Sequence, residues 1–301
     1  MIRTAARSEL RPKERGTRYG VCRALFVLAK PGIVAAVTLS GLAGMILAGK
    51  GLPDPSAALL GSLSVSLMAF GAALTNSVLD RRMDRCMERL ALRSAALERL
   101  GNGPALIAAS AATSTALLIP SAALNPIVVL LLVAASLSYV VCYTLWLKPH
   151  THWAAVLGAI PGALPALAGS AVVNPALDRS SFALFLVLLL WQPPHFWLLS
   201  LSRIEEYRKA GVPVLPLARG IATTRRCTLL FALALIPASL LLWSAGPCSK
   251  GYALVAVLLG ASFLFACRFY LQEGRDCRTA FRGSILYLLL LLLTVIIDLA
   301  R

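Results

Sequence analysis

Apolar residues occupy this chain in long runs, and short polar stretches separate the runs. Each run has about twenty residues with few charges, which is the length an α-helix needs to cross a bilayer. The pattern predicts an all-α fold, a polytopic membrane bundle of about nine transmembrane helices. The predicted spans are residues 25–48, 56–79, 104–124, 126–147, 153–173, 181–202, 227–246, 251–270 and 283–300.

Composition agrees with this pattern and excludes a soluble globular protein. The 301 residues are 58% hydrophobic and 14% charged, and the mean hydropathy is +0.78. We predict a basic N-terminal tail over 1–24 and a single nine-helix domain over 25–301, with no cleaved signal peptide before the first span. The seven cysteines are scattered without a closely spaced pair, so we expect neither a disulfide nor a cysteine metal site.

The net charge of +16 would indicate nucleic acid in a soluble protein, but here its distribution indicates membrane topology. If the N-terminus is cytoplasmic, 25 of the 29 Lys and Arg residues lie on the inner side. The exceptions are Lys50, Arg179, Lys250 and Arg301. Positive residues favour the cytoplasmic side. We therefore predict a bacterial inner-membrane protein with a cytoplasmic N-terminus and a periplasmic C-terminus, in contact with lipid and not with nucleic acid.

An acidic stretch follows directly on the second span. Asn76, Asp80, Asp84 and Glu88 are each four residues apart, so on a helix they share one face. Like charges at this spacing repel each other, which indicates a cation between them. A Mg²⁺ ion carried in with a diphosphate suits one amide and two carboxylates that leave room for phosphate oxygens. The alternative is a solvated helix end with ordinary ion pairs.

Basic residues accompany the first acidic stretch, and a second acidic cluster follows later in the chain. Arginines alternate with the first acids and are candidates for holding phosphate or lipid headgroups, among them Arg81, Arg85 and Arg89. Glu205 and Glu206 follow span 6, flanked by Arg203. Both clusters fall on the predicted cytoplasmic side. Two such helix ends facing each other would hold one diphosphate through shared Mg²⁺, whereas a solvated loop is the alternative.

Span 6 contains polar groups and two prolines within an apolar run. Pro193 and Pro194 predict a kink or break, and such breaks at membrane depth usually line a cavity. Gln192 and His195 would face that cavity together, and His195 would share a face with Glu206 if the helix continued. An ionisable residue inside a span is a candidate functional group, so His195 either shapes the pocket or touches the substrate.

The inner end of span 4 carries two aromatic rings and one cation. Tyr139 and Tyr143 are four residues apart and would lie along an isoprenoid chain or belong to the interfacial aromatic belt. Lys148 would reach a diphosphate or mark the inner boundary. In span 5, Gly158 and Gly169 belong to a face of small residues that favours close helix packing.

These motifs resemble the UbiA superfamily of intramembrane prenyltransferases, over nearly the whole chain, and within it the heme O synthase (protoheme IX farnesyltransferase) branch. The superfamily resemblance lies in Asn76, Asp80 and Asp84. The branch resemblance lies in Trp191 to Phe196 and in Glu206 to Pro216, with Tyr143 to Lys148 and Phe281, Ser284 and Tyr287 in support.

The resemblance implies a Mg²⁺-dependent transfer of a farnesyl group from farnesyl diphosphate to a vinyl group of heme b, giving heme O. It implies metal binding by Asn76, Asp80, Asp84 and Glu206, and catalysis by Asp80, Asp84, Glu206 and Tyr207. Candidate substrate-binding residues are Asn76, Arg81, Arg85, Arg89, Tyr143, Lys148, Gln192, His195 and Arg203. Heme A synthase or a terminal oxidase assembly is the candidate protein partner.

Two other functions use some of the same features. A relative that prenylates another acceptor, such as a quinone ring precursor, would share the first motif but not the branch-specific stretches. A transporter would place charged groups near the bilayer midplane, whereas the acids here cluster at one face.

Overall fold

The computed structural model describes residues 20–272 and 274–300, so most of the predicted tail 1–24 lies outside the described residues. Over these residues the chain forms sixteen α-helices and one π-helix, Ser138–Leu147. The α-helices are α1 Val21–Leu28, α2 Pro31–Gly49, α3 Pro55–Leu79, α4 Arg81–Asp84, α5 Ala91–Leu100, α6 Asn102–Ala123, α7 Pro126–Leu137, α8 Lys148–His150, α9 Ala154–Leu157, α10 Ala159–Val173, α11 Arg179–Ser202, α12 Ile204–Lys209, α13 Leu215–Ala218, α14 Gly220–Ser244, α15 Lys250–Tyr270 and α16 Cys277–Leu299.

Nine helical segments in the described part of the chain are long and apolar enough to cross a membrane, which confirms the predicted bundle. α7, the π-helix and α8 together make one such segment, and α9 with α10 makes another. Many large apolar side chains point outward, such as Ile107 at 72% and Phe265 at 70% exposure. Exposed apolar residues over this many helices are what a lipid-facing surface requires.

The first predicted span, 25–48, is wrong at its start. α1 is a separate helix that ends at Leu28, and α2 begins at Pro31 after Lys30, whose φ of 55° interrupts the helical path. A proline disfavours the helical conformation in the residue before it, so the break follows from the sequence Lys30-Pro31. α1 packs on α5 through Ala24 and Leu28 and also contacts α3, instead of continuing the spanning helix.

Close contact between α2 and α10 depends on small residues, as the glycines of span 5 predict. A Cβ atom on Gly169 would lie 1.9 Å from the carbonyl oxygen of Gly41, and one on Gly44 would lie 2.2 Å from that of Ala166. Small residues let helix backbones approach each other in membranes. This contact joins the N-terminal half of the bundle to the C-terminal half.

α11 is one continuous helix from Arg179 to Ser202, so of the kink or break expected at Pro193 and Pro194, the break does not occur. Both prolines are buried against neighbouring helices. The helix ends at Ser202, and after Arg203 a new helix carries Glu206. The condition under which His195 and Glu206 would share one helical face, a helix that continues between them, is therefore not met.

Candidate active site

Three polar side chains at the end of α3 are almost completely buried. Asn76, Asp80 and Asp84 have exposed fractions of 2%, 2% and 3%. Backbone hydrogen bonds from Asp80 N to Asn76 O (2.8 Å) and from Asp84 N to Asp80 O (2.9 Å) continue the helical path, so the three residues keep one face as predicted. Glu88 does not join them: the chain becomes extended at Met87, and Glu88 is exposed in a 3₁₀ turn.

Asp80 is only partly neutralised by the side chains around it. Its Oδ2 atom accepts hydrogen bonds from Lys148 Nζ (2.5 Å) and from Asn76 Nδ2 (2.9 Å). Its Oδ1 atom is buried and has no hydrogen-bond partner in the described part of the chain. A buried carboxylate oxygen without a partner is costly, so this atom is placed to receive a further cation.

Asn76 connects three elements through its amide. Nδ2 donates to Asp80 and also to Thr144 Oγ1 (2.9 Å) on the π-helix. Oδ1 accepts from the ammonium group of Lys30, at the break between α1 and α2. Burial, together with the nearby guanidinium of Arg93, lowers the pKa of Lys30 to about 7.

Asp84 forms a buried ion pair with Arg93 of α5. Arg93 Nη2 donates to Asp84 Oδ1 at 3.1 Å, and Arg93 Nε lies 2.9 Å from Asp84 Oδ2. Burial raises the pKa of Asp84, the guanidinium of Arg93 opposes that rise, and the neighbouring carboxylate of Asp80 adds to it. The two carboxylates are thus close enough to influence each other, as a shared cation site requires.

The second acidic cluster meets the first through Arg89. Arg89 Nε lies 3.0 Å from Glu206 Oε2, and Arg89 Nη2 donates to the phenol oxygen of Tyr207 at 3.1 Å. Arg203 Nη1 also contacts Glu206, at 3.2 Å. The structure therefore brings together Arg89, Arg203, Glu206 and Tyr207 as the sequence predicts.

An apolar cluster holds the two acidic segments side by side. Met87, Tyr207, Val212 and Val214 are its buried members, and Met83, next to Asp84 in the sequence, packs against them. Tyr207 is 3% exposed, and burial raises the pKa of its phenol. Because Arg89 donates to the phenol oxygen, the phenol proton remains available for another acceptor.

The predicted aromatic pair lies on the π-helix. The rings of Tyr139 and Tyr143 stack with centroids 5.7 Å apart. Tyr143 packs so closely on Gly158 that a Cβ atom there would lie 2.3 Å from the ring. π-helical turns are rare and frequently occur at functional sites.

Gln192 and His195, which were predicted to face one cavity together, make their polar contacts with different neighbouring helices. Gln192 Nε2 donates to Ala159 O (2.9 Å) and Leu188 O (3.1 Å), towards α10. The His195 ring lies between Trp191 (4.5 Å) and Phe281 (4.7 Å), towards α16. His195 Nδ1 is also 2.7 Å from Ser284 Oγ. The two residues are three apart and leave α11 on the same side, but their polar groups contact two different neighbouring helices.

Arg81 and Arg85 lie at the same end of the bundle but on another side, and both are exposed. They line a cleft of about 260 Å³ with residues of α5 and the start of α6. Arg85 pairs with Glu98 at 3.1 Å. The cations that pair with Asp80 and Asp84 are instead Lys148 and Arg93.

The donor set at the end of α3 fits a hard divalent cation. Asp80 Oδ1, the Asp84 carboxylate and Asn76 Oδ1 are oxygen donors on one face of the chain. No group of three His, Cys, Asp or Glu side chains within residues 20–272 and 274–300 is arranged to hold a metal by itself. Mg²⁺ usually takes one or two carboxylates and completes its coordination with substrate phosphates and water.

Sequence reasoning missed three residues that contact this centre: Lys30 and Thr144 contact Asn76, and Arg93 contacts Asp84. The dipeptide Lys30-Pro31 carried a signal, because it marks a chain break beside a charge. Arg93 and Thr144 carried no such signal in the sequence, because the direction of each side chain depends on how α5 and the π-helix pack.

The sequence profile of the UbiA prenyltransferase family matches residues 37–293. A protein of Geotalea uraniireducens (strain Rf4) named protoheme IX farnesyltransferase is 46% identical over 254 residues, which cover 84% of this chain and 98% of that protein. One of the same name from Aquifex aeolicus (strain VF5) is 34% identical over 93% of this chain and 97% of its own length.

Solved structures share the fold. One, from work on the biosynthesis of digeranylgeranylglyceryl phosphate synthase in membranes, has a TM-score of 0.75 at 16% identity, covering 93% of this chain and 99% of its own. A UbiA homolog from Archaeoglobus fulgidus bound to GPP and Mg²⁺ has a TM-score of 0.71 at 14% identity, covering 92% and 100%. These matches confirm the resemblance inferred from the motifs: the chain belongs to the UbiA prenyltransferase family.

Proposed function

We propose that this protein transfers a farnesyl group from farnesyl diphosphate to a vinyl group of heme b, giving heme O and diphosphate with Mg²⁺. The observation that carries the proposal is the buried acidic centre of Asn76, Asp80 and Asp84, surrounded by the protein's own cations. Relatives that cover most of the chain carry the name protoheme IX farnesyltransferase, which supports heme as the acceptor.

The reaction proceeds in three steps. The bond between the farnesyl C1 and the diphosphate oxygen breaks, and its electron pair leaves with the diphosphate. The π bond of the vinyl group of heme b then opens, and its electron pair forms a new bond from the terminal vinyl carbon to C1, which leaves the neighbouring carbon cationic. Water then adds its oxygen to the neighbouring carbon and releases a proton, which completes a hydroxyethylfarnesyl side chain.

Asn76, Asp80 and Asp84 would hold Mg²⁺ with the donor, and Glu206 would contribute from the facing segment. When bound, Mg²⁺ neutralises charge that develops on the leaving diphosphate. Lys148 and Lys30 now contact Asp80 and Asn76, so they would turn their charge to the phosphates when a metal replaces them. Preorganised cations of this kind stabilise the transition state.

Two further sets of side chains are suited to binding the leaving diphosphate. Arg89 and Arg203 flank Glu206, and both guanidinium groups present donors of the kind that bind phosphate oxygens in pairs. The Tyr207 phenol, whose pKa is raised by burial, would donate its proton in a hydrogen bond to a phosphate oxygen.

Apolar and aromatic groups below this centre would receive the organic parts of the substrates. The stacked rings of Tyr139 and Tyr143 suit an isoprenoid chain and a developing allylic cation. His195 and Gln192 lie deeper along α11, and we assign His195 with its flanking Trp191 and Phe281 to the heme side. Exclusion of bulk water there would protect the cation until the vinyl group reacts.

We place the protein in a bacterial inner membrane with its N-terminus and active site at the cytoplasmic face and its C-terminus in the periplasm. The distribution of Lys and Arg supports this orientation, and the nine spanning segments of the described residues are a multi-pass membrane domain. Heme A synthase or a terminal oxidase assembly is the proposed recipient of the product.

The test is expression in a bacterium that lacks heme O synthase, followed by mass spectrometry of the extracted haems. Heme O should appear with the unchanged protein and not with Asp84→Asn. Asp54→Asn is the matched control: Asp54 caps the opposite end of α3 through Ser56 N and Ala57 N, and Asn is an equally good cap. Heme b alone, with the unchanged protein present in the membrane, would refute the proposed reaction.

A further inference from the structure

Thr144 makes a backbone contact unlike that of other helical threonines in the described chain. Its hydroxyl donates to the carbonyl oxygen of Tyr139, five residues back, at 2.9 Å. Threonines elsewhere in the bundle donate to the carbonyl four residues back, as Thr75 and Thr228 do. The π-helix accounts for the difference, because its turns close on the fifth residue.

This contact limits the other hydrogen bonds that the Thr144 hydroxyl can make. A hydroxyl has one proton, and that proton is used by Tyr139 O. Towards α3 the oxygen can therefore only accept a hydrogen bond, which comes from Asn76 Nδ2 at 2.9 Å. Both residues are about 97–98% buried, with 3% and 2% exposed, so no solvent competes for the bond.

The two protons of the Asn76 amide are then both assigned. One goes to Thr144 Oγ1, and the other goes to Asp80 Oδ2 at 2.9 Å. The carbonyl oxygen Oδ1 consequently faces the ammonium group of Lys30. A flipped amide would place its oxygen against the Asp80 carboxylate and its NH₂ against an ammonium group, and both contacts would be repulsive.

We propose that Thr144 is a positioning residue for the cation site: its hydroxyl holds the Asn76 amide so that the carbonyl oxygen, and not the NH₂ group, faces the bound metal. This inference rests on the proposed function, in which Asn76 is a metal ligand. Thr144 itself touches neither metal nor substrate. Its effect reaches them through the orientation of one amide, as outer-shell hydrogen bonds do at metal sites.

The test measures metal affinity directly on the full-length protein in detergent. Free Mn²⁺ is followed by electron paramagnetic resonance during titration in the presence of inorganic diphosphate. Thr144→Val removes the hydroxyl at nearly constant shape, and it should weaken Mn²⁺ binding about tenfold because a buried N–H loses its acceptor. Thr144→Ser keeps the hydroxyl and should bind within about twofold of the unchanged protein.

Two controls separate positioning from a general structural effect. Thr228→Val makes the same change at a fully buried threonine of α14 and should leave Mn²⁺ affinity unchanged. In an Asn76→Asp background, Thr144→Val should have little effect on affinity, because a carboxylate presents oxygen whichever way it is rotated. Thermal midpoints of all variants show whether each one is folded.

The outcomes separate failure of the positioning role of Thr144 from failure of the proposed metal site. If the unchanged protein binds Mn²⁺ and Thr144→Val binds it equally well, the positioning role is overturned and the proposed function stands. If Thr228→Val weakens binding as much as Thr144→Val, the effect is not specific to Asn76 and the inference also fails. If the unchanged protein binds no Mn²⁺ with diphosphate, the metal assignment in the proposed function fails first.

Discussion

Replacing Arg93 by methionine should destabilise the ligand-free protein, because it leaves the Asp84 carboxylate buried without its main counter-ion. The two side chains are 15% and 4% exposed, and two guanidinium nitrogens lie within 3.1 Å of the carboxylate. Removing one partner of a fully buried pair costs about 3–5 kcal/mol. Arg93 retains some access to water, and Lys30 and Lys148 also act on Asp84, so we expect about 2–3 kcal/mol.

The assay is thermal unfolding of the purified protein in detergent, with and without Mn²⁺ and inorganic diphosphate. A loss of this size lowers the midpoint by about 3–5 °C in a domain of this length. Arg99→Met is the control, because Arg99 is exposed on the same helix and should shift stability by no more than about 0.5 kcal/mol. Bound metal should reduce the difference in thermal midpoint between Arg93→Met and the unchanged protein, because the metal supplies positive charge beside Asp84.

Equal midpoints for Arg93→Met and Arg99→Met would refute the electrostatic reasoning. A difference that stays the same or grows when metal and diphosphate are added would show that the cation does not bind at Asp84. The first result concerns the ion pair alone, whereas the second concerns the metal site.

Three other predictions concern the centre and the packing that supports it. Asp80→Ala and Asp84→Ala should each abolish heme O formation while expression, measured by immunoblot, stays intact; full activity in both would show that the acidic centre has another role. Chelation by EDTA should stop product formation in membranes and added Mg²⁺ should restore it, whereas activity that resists EDTA would contradict the assigned metal. Gly169→Ala should lower the thermal midpoint by several degrees, since its Cβ would meet Gly41 O at 1.9 Å and overpacking costs about 1–3 kcal/mol. Gly283→Ala has nothing within 4 Å and should be neutral or stabilising, and equal shifts for both glycines would refute the packing argument.

Hydropathy and residue spacing determined the bundle and the core of the candidate site. Lipid leaves no partner for backbone groups outside a helix, so nine long apolar runs had to become helices, and nine such segments occur in the described part of the chain. The spacing of Asn76, Asp80 and Asp84 put them on one face because the helical hydrogen bonds continue past Leu79.

Charged and polar contacts between segments that are far apart in the sequence were decided only by the tertiary structure. Arg93 reaches Asp84 because α5 packs beside the end of α3, and Thr144 reaches Asn76 because a π-helix turns its hydroxyl towards α3. Glu88 left the acidic face when the chain became extended at Met87. Periodicity places residues on the face of one helix, but it contains no information about which neighbouring helix that face will meet.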